Sequence, residues 1–123
     1  MQSVYIFADK NVIPMRITFS DETLEEFCIA GKSNKNEFKI YVRDNKFMSG
    51  LKRCMTTLLV ARSTASLKNY SFMHYEQLRG NLGGLSSVRI CNGRPERLLF
   101  TERNNGIEIK VIELNTKHYG NKK

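Results

Sequence analysis

The fold is decided by residues 85–114, LSSVRICNGRPERLLFTERNNGIEIKVIEL, where apolar and polar side chains alternate in three successive runs. The runs are LSSVRIC (85–91), RLLFTE (97–102) and IEIKVIEL (107–114), and a period of two is the mark of a half-buried strand. NGRPE separates the first two runs and RNNG the last two. Both connections contain Asn-Gly, a dipeptide that accepts the positive φ of tight hairpin turns. The segment therefore predicts three antiparallel strands joined by hairpins.

Upstream, the period changes. Met15, Ile17 and Phe19 alternate with Arg16 and Thr18, which predicts a further half-buried strand. It runs into SDETLEEF (20–27), where Ser20 or Asp21 can accept from the free N–H groups of a helix start. Glu22, Glu25 and Glu26 suit the positive end of that helix, and Gly31 suits its stop. A second helix is expected from about Asp44, with Phe47, Leu51, Cys54, Met55, Leu58 and Leu59 on one face and Lys52 and Arg53 opposite. The apolar stripe is core in this reading. Residues 32–46 stay unassigned, because FKIYV fits neither period, and residues 66–78 read as a connecting segment rich in aromatics. The expectation is an α+β domain, a curved antiparallel sheet with two N-terminal helices packed on one face. It occupies residues 15–123, preceded by an N-terminal extension over 1–14.

Composition narrows the function. The 123 residues carry 20 Lys+Arg against 12 Asp+Glu, a net charge of +8, with 41% hydrophobic residues. That hydrophobic share is too high for a disordered chain at this charge. The basic excess is uneven: residues 1–61 have a net charge of +2 and residues 62–123 of +6. A basic half on a small domain suits a nucleic acid or an acidic protein partner. No apolar run approaches the roughly 20 residues that span a bilayer, and MQSVYIFADK lacks the pattern of a signal peptide, so a cytoplasmic protein is expected. Cys28, Cys54 and Cys91 form no CxxC pair, and His74 and His118 are the two histidines, so neither a metal site nor a cofactor is expected. Buried reduced thiols account for the cysteines better.

Cleaving RNA without a metal requires a base for the 2′-hydroxyl proton, a cation for the phosphate and an acid for the leaving 5′-oxygen. An aromatic ring stacked on a splayed base helps to hold the geometry. Glu76, Arg97, His118 and Tyr119 are residues of the right types for those four roles. Each has an ordinary surface reading when taken alone.

Four strings together carry more. They are MRITFSDETLEEF (15–27), YEQLRGNLGGLSSVRI (75–90), ERLLF (96–100) and IKVIELNTKHYG (109–120). In this order they resemble the RelE/ParE superfamily of toxins from type II toxin–antitoxin systems, most of all its HigB-like and YoeB-like members. The pattern formed by Leu78, Gly80, Gly84, Ser87, Arg89 and Ile90, followed by an Arg-Leu strand and a His-Tyr pair, is its most specific part.

The resemblance implies a microbial RNase-type fold and a ribosome-dependent mRNA endoribonuclease that inhibits translation. It implies three partners: the ribosome, mRNA and a cognate antitoxin of helix-turn-helix type, through which alone operator DNA would be bound. No membrane association is implied. Glu76 would be the general base, Arg97 the arginine on the phosphate, His118 the general acid and Tyr119 the neighbouring aromatic. Arg79, Arg89, Arg94 and Lys117 would face RNA or ribosome. The sequence departs from the family pattern in a longer connection, CNGRPE (91–96), which puts Glu96 beside Arg97 and leaves Arg94 as an alternative occupant of the phosphate position. Residues 1–14 have no family counterpart. The other reading is a non-catalytic relative, either a ParE-like inhibitor of a protein such as DNA gyrase or an inactive antitoxin-binding module. The longer connection and Glu96 favour it; the His-Tyr ending favours the nuclease.

Overall fold

A computed structural model describes residues 14–116. Of the expected extension over 1–14, residues 1–13 lie outside the described residues, as do Lys117, His118 and Tyr119. Within them the chain forms β1 (Arg16–Phe19), α1 (Glu22–Ala30), α2 (Asn36–Val42), α3 (Asn45–Val60), β2 (Glu76–Gln77), β3 (Ser86–Arg89), β4 (Arg97–Arg103) and β5 (Glu108–Asn115). Short 3-10 turns fill the connections between α3 and β3 and between β4 and β5. The architecture is α+β: one five-stranded sheet in the order β1-β5-β4-β3-β2, with the helices between its first two strands in sequence.

The three hairpin-linked strands form as the alternation predicts, β3 antiparallel to β4 and β4 antiparallel to β5. Asn104, Asn105 and Gly106 all have positive φ, the backbone that the RNNG run anticipated. Three features differ from the sequence expectation. β1 joins β5 in parallel, so the sheet is mixed and not purely antiparallel. FKIYV lies in α2, so three helices and not two precede β2. Glu76 and Gln77 add an edge strand too short to show a period, antiparallel to β3.

Local chemistry explains the helices. Asp21 caps α1 by accepting from the Leu24 N–H at 2.8 Å, and Asp44 caps α3 by accepting from Phe47 N–H at 3.0 Å. Gly31 ends α1 in the left-handed region at φ 71°, its N–H donating to the Phe27 carbonyl. Leu24, Phe27 and Cys28 of α1, Phe38 and Tyr41 of α2, and Phe47, Leu51, Cys54, Met55 and Leu58 of α3 meet Ile17, Phe19, Val88, Leu98, Phe100, Ile109 and Val111 in one core. All three cysteines are buried as free thiols, and burial pushes the Cys54 thiol up to about 12, which makes it inert.

Gly50 of α3 lies tight against the β3–β4 connection. A Cβ there would lie 2.6 Å from the Ile90 carbonyl oxygen and 2.6 Å from Cys91 Sγ. The carbonyl is held in the β3–β4 connection and cannot swing away. Alanine gains about 1 kcal/mol in helix propensity. Overpacking outweighs it, so Gly50→Ala is expected to lower stability by about 1–3 kcal/mol, read by urea unfolding.

A half-buried carboxylate ties the far end of the sheet to the loop after α3. Glu102 accepts from Thr64 Oγ1 at 2.8 Å and from the hydroxyls of Tyr75 and Ser86. Burial works against its ionisation, but the donors Ser86, Tyr75 and Thr64 outweigh that and hold its carboxyl below the ordinary value of 4.5. A carboxyl depressed in the folded state stabilises fully above its unfolded pKa, and that stabilisation is lost as pH falls through the folded value. Melting temperatures between about pH 6 and pH 3 should therefore fall less steeply in Glu102→Gln than in the wild type.

Candidate active site

Strand register assembles the site. Residues directly opposite one another share a face. Glu76 stands opposite Ser87, Ser87 opposite Leu99 and Arg89 opposite Arg97. Arg97 stands in turn opposite Asn115, and Leu99 opposite Glu113. Glu76, Ser87, Arg89, Arg97, Leu99, Glu113 and Asn115 thus line one face of the sheet. Leu98, Phe100 and Val88 point the other way, into the core with the helices.

Arg97 sits at the centre of this face. Its side chain is 9% exposed, whereas that of Glu76 on the edge strand is 58% exposed. Arg97 Nη1 reaches Glu76 Oε1 at 3.4 Å and Ser87 Oγ at 3.5 Å. Both contacts are longer than the 2.7–2.9 Å of a tight charge-assisted bond. The guanidinium is held by the sheet, and the carboxylate stands over it open to solvent. A base that solvent can reach, beside a cation fixed in place, is the arrangement that general-base attack at a phosphate needs.

The other predicted residues divide. Arg89 is half-buried on the same face, and its Nη1 donates to the Arg94 carbonyl at 2.9 Å. Arg79 is exposed in the loop between β2 and β3, ahead of the Gly80–Leu82 turn. Arg94 lies elsewhere. Its Nε and Nη2 each donate to a Glu96 carboxylate oxygen at 3.1 Å, its Nη1 donates to Asp44 Oδ2 at 2.8 Å, and its plane lies 5.5 Å from the Phe47 ring. The two carboxylates push the Arg94 pKa up, and Arg94 in turn holds the Asp44 carboxyl below its ordinary value. Glu96 also accepts from the Tyr41 hydroxyl at 3.3 Å. Arg97, and not Arg94, is therefore the guanidinium beside Glu76. Glu96 points to the helical side of β4, away from it.

Sequence reasoning missed three polar members of the face. Ser87 was visible as one position of the glycine-serine-arginine pattern, two residues before Arg89. Glu113 and Asn115, joined by a hydrogen bond from Asn115 Nδ2 to Glu113 Oε2 at 3.0 Å, take their place only through the β4–β5 pairing. Among the described residues, no three His, Cys, Asp or Glu side chains gather where they could hold a metal ion. No described helix is long and apolar enough to cross a membrane.

No protein-family model and no curated protein matches the sequence. Solved structures do. The chain is similar to solved toxins of toxin–antitoxin systems. It is 13% identical to the YoeB/ParE toxin from Agrobacterium tumefaciens, covering 83% of this chain and 98% of that one, with a TM-score of 0.46. It is 23% identical to YoeB in the dimer from Staphylococcus aureus, covering 84% of this chain and 95% of that one, with a TM-score of 0.43. Identity is again 23% in the heterotetrameric YoeB-YefM complex from Staphylococcus aureus, over 85% of this chain and 98% of that one, at a TM-score of 0.43.

Proposed function

We propose that this protein is a RelE/ParE-type toxin of a type II toxin–antitoxin system and that it cleaves mRNA on the ribosome. The observation that carries the reading is the meeting of Glu76 and Arg97, 21 residues apart in sequence, on one polar face of the sheet. Those are the two residues to which the sequence resemblance gives the base and the phosphate cation.

In the proposed reaction Glu76 takes the 2′-hydroxyl proton of a bound nucleotide and the 2′-oxygen attacks the adjacent phosphorus. Arg97 stabilises the charge that builds on the phosphoryl oxygens, with the Ser87 hydroxyl beside it. His118 gives a proton to the departing 5′-oxygen. The products are a 2′,3′-cyclic phosphate and a 5′-hydroxyl end. Tyr119 then supplies a stacking surface for a base. Arg79, Arg89 and Lys117 extend the positive surface toward the RNA backbone, and the cognate antitoxin neutralises the toxin.

The contrary sign in the sequence was Glu96. Its carboxylate is taken by Arg94 and Tyr41, so it lends no support to an inactive relative. The test is expression of the wild type without an antitoxin. Growth arrest with new cleavage ends inside translated mRNA, lost in His118→Ala, is the expected outcome. Arrest that persists in His118→Ala with mRNA intact contradicts the nuclease and points to a protein target.

A further inference from the structure

We infer that Arg94 is a positioning residue for Arg97, acting through Glu96 and not through contact with RNA; the inference rests on the nuclease reading above. Glu96 immediately precedes the buried Arg97, and a carboxylate there opposes the binding of any phosphate. Alternation along β4 turns the Glu96 side chain to the helical side, and three groups hold it there. Arg94 grips both of its oxygens at 3.1 Å, the Tyr41 hydroxyl of α2 donates to one at 3.3 Å, and Asp44 at the start of α3 anchors Arg94 at 2.8 Å.

The guanidinium of Arg94 is thus committed on three of its nitrogens to two carboxylates. Asp44 is itself committed, since its other oxygen caps α3. The clamp spans the connection that sets the β3–β4 register, and Arg89 Nη1 is fastened to the Arg94 carbonyl within it. The longer hairpin is therefore stapled to the helices. It leaves Arg97 as the guanidinium that faces Glu76, with the neighbouring carboxylate neutralised on the other side.

Two roles for Arg94 predict opposite results. If it contacts phosphate, its loss is not repaired by altering Glu96. If it acts through Glu96, removing the charge of Glu96 restores what its loss took away. The probe is a ribosome programmed with an mRNA that carries a 2′-deoxy substitution at the scissile position, which is bound without being cut. Arg94→Met should weaken its binding about tenfold, and Arg94→Met/Glu96→Gln should return it to within about threefold of wild type. The slope of log affinity against log salt should be the same in the double variant as in the wild type. On cleavable ribosome-bound mRNA, Arg94→Met should depress kcat as well as raise KM, and the double variant should recover both.

A double variant that binds as weakly as Arg94→Met, with a salt slope shallower by about one ion, overturns the inference in favour of direct contact. Unchanged binding in Arg94→Met overturns it as well. A wild type that does not bind the programmed ribosome, or an Arg97→Ala variant that binds it equally well, counts against the nuclease reading instead. The clamp is then read by NMR from the Arg97 Nε–H resonance. That resonance should shift in Arg94→Met and return in the double variant, and a resonance unmoved in Arg94→Met overturns the inference. Melting temperatures of each variant identify effects that are only loss of fold.

Discussion

Arg97→Ala is expected to lower the rate of RNA cleavage by about 10²–10³-fold, the loss typical of removing one fixed group that stabilises transition-state charge. Arg97 is held on β4 between Arg89 and Asn115 as cross-strand neighbours, so its guanidinium needs no rearrangement when charge develops. Truncation removes the cation and leaves Glu76 with no partner at 3.4 Å. Arg97→Lys restores the charge without the planar fork, so it should recover only part of the rate. Single-turnover cleavage of ribosome-bound mRNA provides the measurement, with circular dichroism as the check that the sheet is intact.

The second large effect is on stability. Phe47→Ala should cost about 3–5 kcal/mol, a large part of the roughly 5–15 kcal/mol available to a domain of this size. Phe47 is fully buried in the first turn of α3, its ring centroid 4.3 Å from that of Tyr41 and 6.2 Å from that of Phe27. The Arg94 guanidinium lies over its outer side at 5.5 Å. Its loss opens a cavity where all three helices meet and takes away the surface on which the Glu96 clamp rests. Chemical denaturation measures the loss. Guanidinium chloride is a poor choice because it screens the same ion pairs, so urea is preferred.

These two positions also show what the sequence can convey. The alternation over 85–114 was enough for three strands and their pairing, because hairpins join neighbours and the Asn-Gly turns are local chemistry. The caps Asp21 and Asp44 and the stop at Gly31 were legible for the same reason. α2 was not. Phe38 and Tyr41 turn inward, but Ile40 between them is 69% exposed, and that blurs the helical period. The parallel pairing of β1 with β5 joins residues about 90 apart and leaves no mark on either strand alone.

The site divides along the same line. Glu76, Arg89 and Arg97 were legible through the family pattern, and the register brings them onto one face. The direction of Glu96 was hidden because it depends on Tyr41 and Asp44, each about 50 residues away. For Arg94 the sequence shows the charge but not the two carboxylates, Asp44 and Glu96, that it pairs with.

Everything proposed for this protein depends on the Glu76–Arg97 face cleaving mRNA by 2′-hydroxyl attack. The most direct test is to incubate purified protein with ribosomes programmed with a defined mRNA and to map and characterise the new ends. Cuts at the ribosome that leave 2′,3′-cyclic phosphate and 5′-hydroxyl ends, absent with Arg97→Ala, are the expected result. Intact mRNA with the wild-type protein, or the same cuts with Arg97→Ala, would contradict it.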